Sequence, residues 1–292
     1  MKIVVAFATS NRRDILTKTI LAMSRQTRLP DQIFVSSAKP EDVDEDAVAA
    51  GIVPVTVMFG PAGLAAQRNT ALAAAGDADL VIFFDDDFIA ANDFVARTET
   101  LFERLPRVVV ATGSVVADGI LGPGYNFSEG EELLARTPTA LTHEVSEVHN
   151  AYGCNMVVRM APVREHELRF DENLPLYGWW EDVDFSRQLA RFGQVVRSSA
   201  MKGVHLGFKR SGRTPGRPLG YSQVANRIYL VRKGTVSKSH AWKGIIRNLL
   251  ANLFHIAKPE PWVDRRGRLA GNTLALVDLI KGDLAPERML QL

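Results

Sequence analysis

The chain has 292 residues, 46% of them hydrophobic and 23% charged, with a single cysteine. That balance excludes disordered, collagenous and coiled-coil chains, and no run nears the roughly 18 uninterrupted apolar residues of a membrane span. The net charge of +2 hides a division: residues 1–184 hold 15 Lys and Arg against 28 Asp and Glu, residues 185–259 hold 15 Lys and Arg and no acid, and residues 260–292 hold 5 of each.

Ile3–Ala8 reads as a buried strand, followed by a helix over Asp14–Gln26 with Ile15, Leu16, Ile20, Leu21 and Met23 at helical spacing. Gln32–Ser36 and Val53–Met58 read as further strands. Gly60-Pro61-Ala62-Gly63 is a turn, and an alanine-rich helix runs from it through Ala75. Leu80–Phe84 is apolar at every position and so belongs at the centre of a sheet. This alternation predicts an α/β, doubly wound sheet with right-handed crossovers. The organisation expected is one catalytic domain over residues 1–235 and a helical extension over residues 236–292. In the extension, Trp242, Ile245, Ile246, Leu249, Leu250, Leu253 and Phe254 form one apolar stripe, with Lys243, Arg247, Asn248 and Asn252 opposite. Such a helix either packs on the core or lies on a membrane surface. A last helix is expected from about Leu269 to Ile280, ended by Gly282.

Three carboxylates, Asp85-Asp86-Asp87, follow the central strand directly. Ligands of an open α/β sheet bind beyond the carboxyl ends of its strands, and adjacent like charges there call for a cation. Residues 85 and 87 can point to one side of an extended backbone, which suits a hard divalent metal. The competing reading is a helix N-cap with an acidic first turn, Phe88 onward being helical.

A second cluster, Tyr177-Gly178-Trp179-Trp180-Glu181-Asp182-Val183-Asp184, leads into a helix through Arg191. Acids at a helix start complement its dipole. An indole also matches the apolar face of a sugar ring, and a carboxylate beside it can take a hydroxyl proton. His205 precedes the cation- and glycine-rich loop Lys209–Arg217, suited to closing over phosphates. The acid-free segment implies an anionic partner, a pyrophosphate or an anionic membrane surface, whereas the acidic first half argues against nucleic acid.

In order, Thr9-Ser10-Asn11-Arg12, Gly63 through Arg68-Asn69, Asp85-Asp86-Asp87, Gly153-Cys154-Asn155-Met156, Trp180-Glu181-Asp182, His205 and Asn226-Arg227 resemble the family 2 glycosyltransferases of GT-A fold. These transfer a sugar from a nucleotide-sugar with inversion, and the resemblance spans roughly residues 3–235. It implies a mostly parallel Rossmann-like sheet flanked by helices. It also implies that Thr9, Asn11, Arg12, Ser36, Arg68, Asp85 and Asp86 bind the donor nucleotide, and that Asp87 and His205 bind Mg²⁺ or Mn²⁺. Asp182 would be the general base, with Asn155, Trp179, Trp180 and Glu181 shaping the sugar sites and Lys209, Arg210 and Arg213 over the diphosphate. The expected acceptor is a saccharide or lipid-linked saccharide of surface-polysaccharide assembly.

One departure concerns the base. Family members carry an acid after the second strand, but Ser36-Ser37-Ala38 has none before Glu41. A UDP-sugar remains the first expectation, with dTDP- and GDP-sugars gaining ground. A nucleotidyltransferase would need a glycine-rich phosphate loop where Ala8–Arg13 has no glycine, and a dinucleotide oxidoreductase fails likewise. A non-catalytic sugar- or membrane-binding module would not need both acidic clusters. The short apolar start lacks a signal-peptide pattern, and the lone Cys154, read as a small core residue, fits a reducing compartment. The expected location is the cytoplasm, with the inner membrane face as a peripheral site.

Overall fold

The computed structural model describes residues 1–120, 122–138, 144–207 and 216–292. Its first half alternates as β1 (Ile3–Thr9), α1 (Arg13–Ala22), β2 (Gln32–Ser37), α2 (Glu45–Ala49), β3 (Val55–Phe59), α3 (Leu64–Ala74) and β4 (Leu80–Asp85). There follow β5 (Phe88–Ala90), α4 (Phe94–Arg104), β6 (Val108–Asp118), α5 (Phe127–Ala135) and β7 (Val145–Glu147). Then come β8 (Asn155–Arg159), α6 (Met160–Glu165), α7 (Glu181–Leu189) and β9 (Gln194–His205). Three long helices close the chain: α8 (Gly216–Lys233), α9 (Lys238–Phe254) and α10 (Arg265–Lys281).

The strands form one sheet in the order β3-β2-β1-β4-β8-β6-β9-β5, with β7 on β9. The β3-β2-β1-β4 half is parallel, and β6 pairs with β9 in parallel. Between them β8 runs antiparallel to both β4 and β6. The α/β sheet expected from the sequence is present, and β8 is an insertion that strand–helix alternation does not foretell.

Period-two alternation sends successive side chains to opposite faces. Ile3, Val5 and Phe7 of β1 join Leu80, Ile82 and Phe84 of β4 in one core, whereas Val4, Ala6, Val81 and Phe83 join a second core on the other face. Burying each large apolar side chain contributes about 1.5–3 kcal/mol relative to exposure. Both faces of β4 are therefore covered, and its polar end at Asp85 is the first position free to leave the core. The Phe84 ring stacks on Phe88 at 5.1 Å and meets Phe94 edge-on at 5.0 Å, so the chain turns at Asp86-Asp87 and continues as a strand. The helix N-cap reading of the three carboxylates is thereby corrected. Phe88–Ala90 pairs with His205–Gly203 of β9 instead of coiling.

β9 reaches that pairing through a shift in its register with β6. Gly113 faces Ser198 while Ser114 faces Lys202, so three residues of β9 bulge out. A Cβ at Gly113 would lie 2.4 Å from the Met201 carbonyl oxygen, and only glycine admits so close an approach. The bulge ends with His205 opposite Phe88.

In the last third, Tyr221, Val224, Ala225 and Ile228 of α8 share a core with Ile245 of α9 and Ala275 of α10. The expected boundary at residues 235 and 236 falls between α8 and α9. The α8 helix has no counterpart among the sequence expectations, and α10 starts at Arg265 and ends at left-handed Gly282.

The single apolar stripe expected on α9 divides in two. Ile245 is buried with Leu249 packed against its core, Ala241 is buried in a second cluster with Leu230 and Val236, and Trp242, Ile246, Leu250, Leu253 and Phe254 are exposed. Asn252, expected on the polar side, is buried and donates to Asn272 Oδ1 at 2.8 Å. The helix thus carries an inner apolar face on α8 and α10 and an outer one in solvent. No described helix is long and apolar enough to cross a membrane.

Candidate functional site

The ends of β1, β4 and β9, the loop before β8 and the start of α7 converge at one edge of the sheet. Asp85 and Asp87 meet His205 from β9, brought together by the turn at Asp86-Asp87 and not by the extended backbone that their spacing suggested. One ligand atom from each of the three lies within 4.8 Å of the others. His205 Nε2 stands 3.4 Å from Asp87 Oδ1 and 3.8 Å from Asp85 Oδ2. Its Nδ1 donates to Asp118 Oδ1 at 3.0 Å, and Tyr152 donates its hydroxyl to Asp118 Oδ2 at 3.0 Å. Burial lowers the His205 pKa, but the hydrogen bonds to Asp118 and Asp87 and the charges around it outweigh burial and raise it to about 10. Asp118 is held below the usual carboxylate range, since burial is overcome by the hydrogen bond and charge of His205. Two carboxylate oxygens and an imidazole nitrogen, the imidazole oriented by a further carboxylate, form a donor set that fits Mn²⁺ or Mg²⁺.

Asp86 turns the other way. It accepts hydrogen bonds from Thr9 Oγ1 at 2.8 Å and from Arg12 Nη1 at 2.8 Å, and Arg12 also approaches Asp87 Oδ2 at 3.2 Å. Burial raises the Asp86 pKa to about 6 against the pull of Arg12, and the neighbouring Asp87 adds to the rise. Thr9 and Arg12 thus brace the acidic turn. The buried Ser36 has no hydrogen-bond partner at its hydroxyl among the described residues, while its carbonyl accepts from Gln67 Nε2 at 3.1 Å. Asn11 is exposed in a left-handed conformation and donates to Ser10 Oγ.

Arg68 joins the two acidic clusters. It donates to Asp85 Oδ1 at 3.1 Å and to the Gly153 carbonyl at 2.7 Å, and it pairs with Glu181. Its guanidinium also lies over the Phe83 and Phe170 rings. Glu181 is buried, and burial pushes its carboxyl up in spite of Arg68. Asp182 is only half-buried. It accepts from Gly153 N at 3.0 Å and from Val183 N at 2.7 Å, and burial raises its pKa above the ordinary carboxylate value. Of the two adjacent acids, Asp182 is the one open to a substrate. The third, Asp184, is fully buried and ties to Lys233 at 2.7 Å and to Thr235, which makes it structural.

Trp179 and Trp180 flank this pair on the α8 side. The Trp179 carbonyl accepts from Asn226 Nδ2, and the exposed Tyr177 ring stands 6.3 Å from the Trp179 ring. Asn155 lies behind the site, fully buried, its Oδ1 accepting from Thr112 Oγ1 and Gly113 N. Cys154 is buried and its thiol pKa is pushed up by burial, in keeping with a core residue. Lys209, Arg210 and Arg213 lie outside the described residues. The sequence reading named Gly153 in its motif without a role, and it missed Asp118 and Tyr152. Tyr152 adjoins the Gly153-Cys154-Asn155 motif, whereas Asp118 had no local signal.

Comparison with known proteins follows this geometry. The description "Glycosyl transferase family 2" matches residues 4–166, more than half the chain. No curated protein matches the sequence. A mannosyltransferase from Pyrobaculum calidifontis, in complex with GDP-Man and Mn²⁺, is similar in structure at TM-score 0.58 and 13% identity, covering 99% of this chain and 85% of that one. TarS from S. aureus is similar at TM-score 0.54 and 16% identity, and the match covers 88% of this chain but only 44% of TarS. GalNAc-T7 with UDP, GalNAc and Mn²⁺ is similar at TM-score 0.56 and 13% identity, over 99% of this chain and 56% of that one. At these identities the likeness establishes the fold.

Proposed function

The chain belongs to glycosyl transferase family 2, and from that premise we propose that it is a metal-dependent, inverting enzyme using a nucleotide-diphosphate sugar. The observation that carries the proposal is the Asp85–Asp87–His205 group at the end of β4, tied through Arg68 to Glu181, the residue next to Asp182. Asp85, expected among the donor-nucleotide residues, would be a third ligand beside Asp87 and His205. These three residues would hold Mg²⁺ or Mn²⁺, which when bound would supply positive charge against the departing diphosphate.

The rest falls to the chain's own residues. Inversion is a single displacement: the acceptor oxygen forms its bond to the anomeric carbon as the bond to the diphosphate oxygen breaks. The acceptor hydroxyl must lose its proton, and Asp182 takes it. Two backbone N–H groups fix this carboxylate, and its raised pKa makes it a stronger base than an ordinary aspartate. Glu181 cannot share the role while Arg68 holds it. The exposed Tyr177 ring beside Trp179 offers an apolar face to a sugar. Thr9 and Arg12 are committed to Asp86, so the first loop supports the acidic turn rather than cradling phosphate as a nucleotidyltransferase loop would.

UDP is the favoured donor nucleotide, with GDP and dTDP next, and the acceptor is a saccharide or lipid-linked saccharide of surface-polysaccharide assembly. The outer face of α9 supports a membrane setting. Trp242, Ile246, Leu250, Leu253 and Phe254 are exposed beside Lys243 and Arg247, in a stretch without any acid. Such a face fits an anionic lipid surface, where each cation contributes about 1 kcal/mol. A second copy of α9 would set cations against cations, with no carboxylate of its own segment to pair them. The test of the donor is a thermal-shift series of UDP, GDP and dTDP with and without Mn²⁺. A ligand of the folded state raises the melting temperature, and indifference to all three with Mn²⁺ would defeat the proposal.

A further inference from the structure

Arg227, in the middle of α8, is 1% exposed, yet no carboxylate among the described residues pairs with it. Its Nη1 donates to the Gln223 carbonyl at 3.0 Å, and its Nε has no hydrogen-bond partner among the described residues. The guanidinium instead lies over the Trp180 indole, 4.3 Å from the ring centroid. Burial, with Arg247 nearby, lowers its pKa to about 10. A buried cation without a carboxylate is costly, and an indole face is the compensation on offer.

Trp180 is itself under constraint. Its φ is +77°, in the left-handed region that bulky side chains rarely adopt, and it is the residue from which α7 starts. Glu181 and Asp182 follow immediately. Strain of this kind persists only where the surroundings over-determine it. Here the C-terminal helices supply the surroundings: Arg227 over the indole, the His240 ring of α9 at 5.4 Å, and Asn226 of α8 bonded to the Trp179 carbonyl at 2.9 Å. Gly244 of α9 makes the room, since a Cβ there would lie 2.8 Å from the Arg227 guanidinium carbon.

We propose that Arg227 is a positioning residue, which acts through Trp180 to hold the left-handed turn that sets Glu181 against Arg68 and Asp182 against Gly153. The inference rests on Asp182 being the base proposed above, and it gives α8 and α9 a part in the reaction that neither family membership nor the acidic clusters assign to them.

Gly244→Ala tests it without changing Arg227 itself. Alanine is the better helix former, so any cost comes from the methyl meeting the buried guanidinium, and a merely structural role predicts lower stability with kcat unchanged. The added methyl displaces the guanidinium, the movable end of a flexible side chain. Arg227→Met and Arg227→Lys complete the set. Turnover is read as UDP release from a UDP-sugar with Mn²⁺, and hydrogen exchange reads the backbone at residues 181–184 in the ligand-free protein. Gly244→Ala and Arg227→Met are expected to lower kcat about tenfold with UDP affinity unchanged, and to speed exchange at 181–184 by a similar factor. Arg227→Lys, which keeps a cation for the indole, is expected to recover part of both. Unchanged exchange in Gly244→Ala and Arg227→Met overturns the inference whatever the turnover. Faster exchange with Asp182→Asn at full turnover would instead remove the base assignment and leave the positioning of the turn standing.

Discussion

Arg68 Nη2 lies 3.1 Å from Asp85 Oδ1, and the other arm of the same guanidinium holds Glu181. One buried cation therefore fixes the spacing between the metal-capable carboxylates and the acids at the start of α7. Removing one partner of a buried ion pair costs about 3–5 kcal/mol, because the other charge is left uncompensated. Arg68→Leu is expected to lose stability on that scale in urea unfolding, with Arg68→Lys intermediate. A loss under about 1 kcal/mol would make this contact incidental.

The Asp85–Asp87–His205 group predicts where metal dependence resides. Asp87→Ala is expected to abolish the gain in nucleotide-diphosphate affinity that Mn²⁺ brings, as measured by calorimetry. A variant that bound nucleotide with the wild-type response to Mn²⁺ would dismiss this group as the metal site.

A separate prediction concerns stability and pH. Lys233 Nζ sits 2.6 Å from Asp171 and 2.7 Å from Asp184, joining α8 to α7. Burial raises the Asp171 carboxyl, but the hydrogen bond and charge of Lys233 and the Tyr229 hydroxyl hold it below its ordinary 3.8. A carboxylate depressed in the folded state contributes stability above its unfolded pKa and loses it as pH falls through the folded one. Lys233→Met should therefore cost about 3 kcal/mol near neutrality. The gap to wild type should narrow as the pH drops below about 4. An equal gap from about pH 6 to about pH 3 would contradict the assignment.

The outer face of α9 yields a prediction about lipid. Wild-type protein should sediment with anionic vesicles at low salt, and not with neutral ones. Binding should weaken toward about 1 M salt, where the Debye length is about 3 Å. Lys243→Glu/Arg247→Glu should bind poorly. Wild type that ignores anionic vesicles would leave the exposed stripe without a membrane role, and equal binding by both proteins would move the contact elsewhere.

Much of this architecture is written locally in the sequence. Leu80–Phe84 announces a strand buried on both faces, and the carboxylates after it announce a site. What escaped depends on partners far away in the chain. Asp118 joins His205 across 87 residues, and nothing around Asp118 marks it. The strand at Phe88–Ala90 exists because β9 bulges at Gly113 and brings Gly203–His205 alongside. On α9, helical periodicity placed the apolar residues on one side but could not divide them between α8 and solvent, since that depends on what covers the helix. Arg68 and Arg227 carry the same lesson: both stand in motifs the sequence shows, but their burial and their partners are set by residues far away in the chain.

The most direct measurement is UDP release from a UDP-sugar by wild type, Asp87→Ala and Asp182→Asn, with and without Mn²⁺, each with UDP affinity measured alongside. The expected result is Mn²⁺-dependent release by wild type and none by Asp87→Ala. Asp182→Asn should bind UDP as wild type does but turn over at least roughly a hundredfold more slowly, the scale for losing a general base. Release that is indifferent to Mn²⁺, or an Asp182→Asn variant as fast as wild type, would contradict the account.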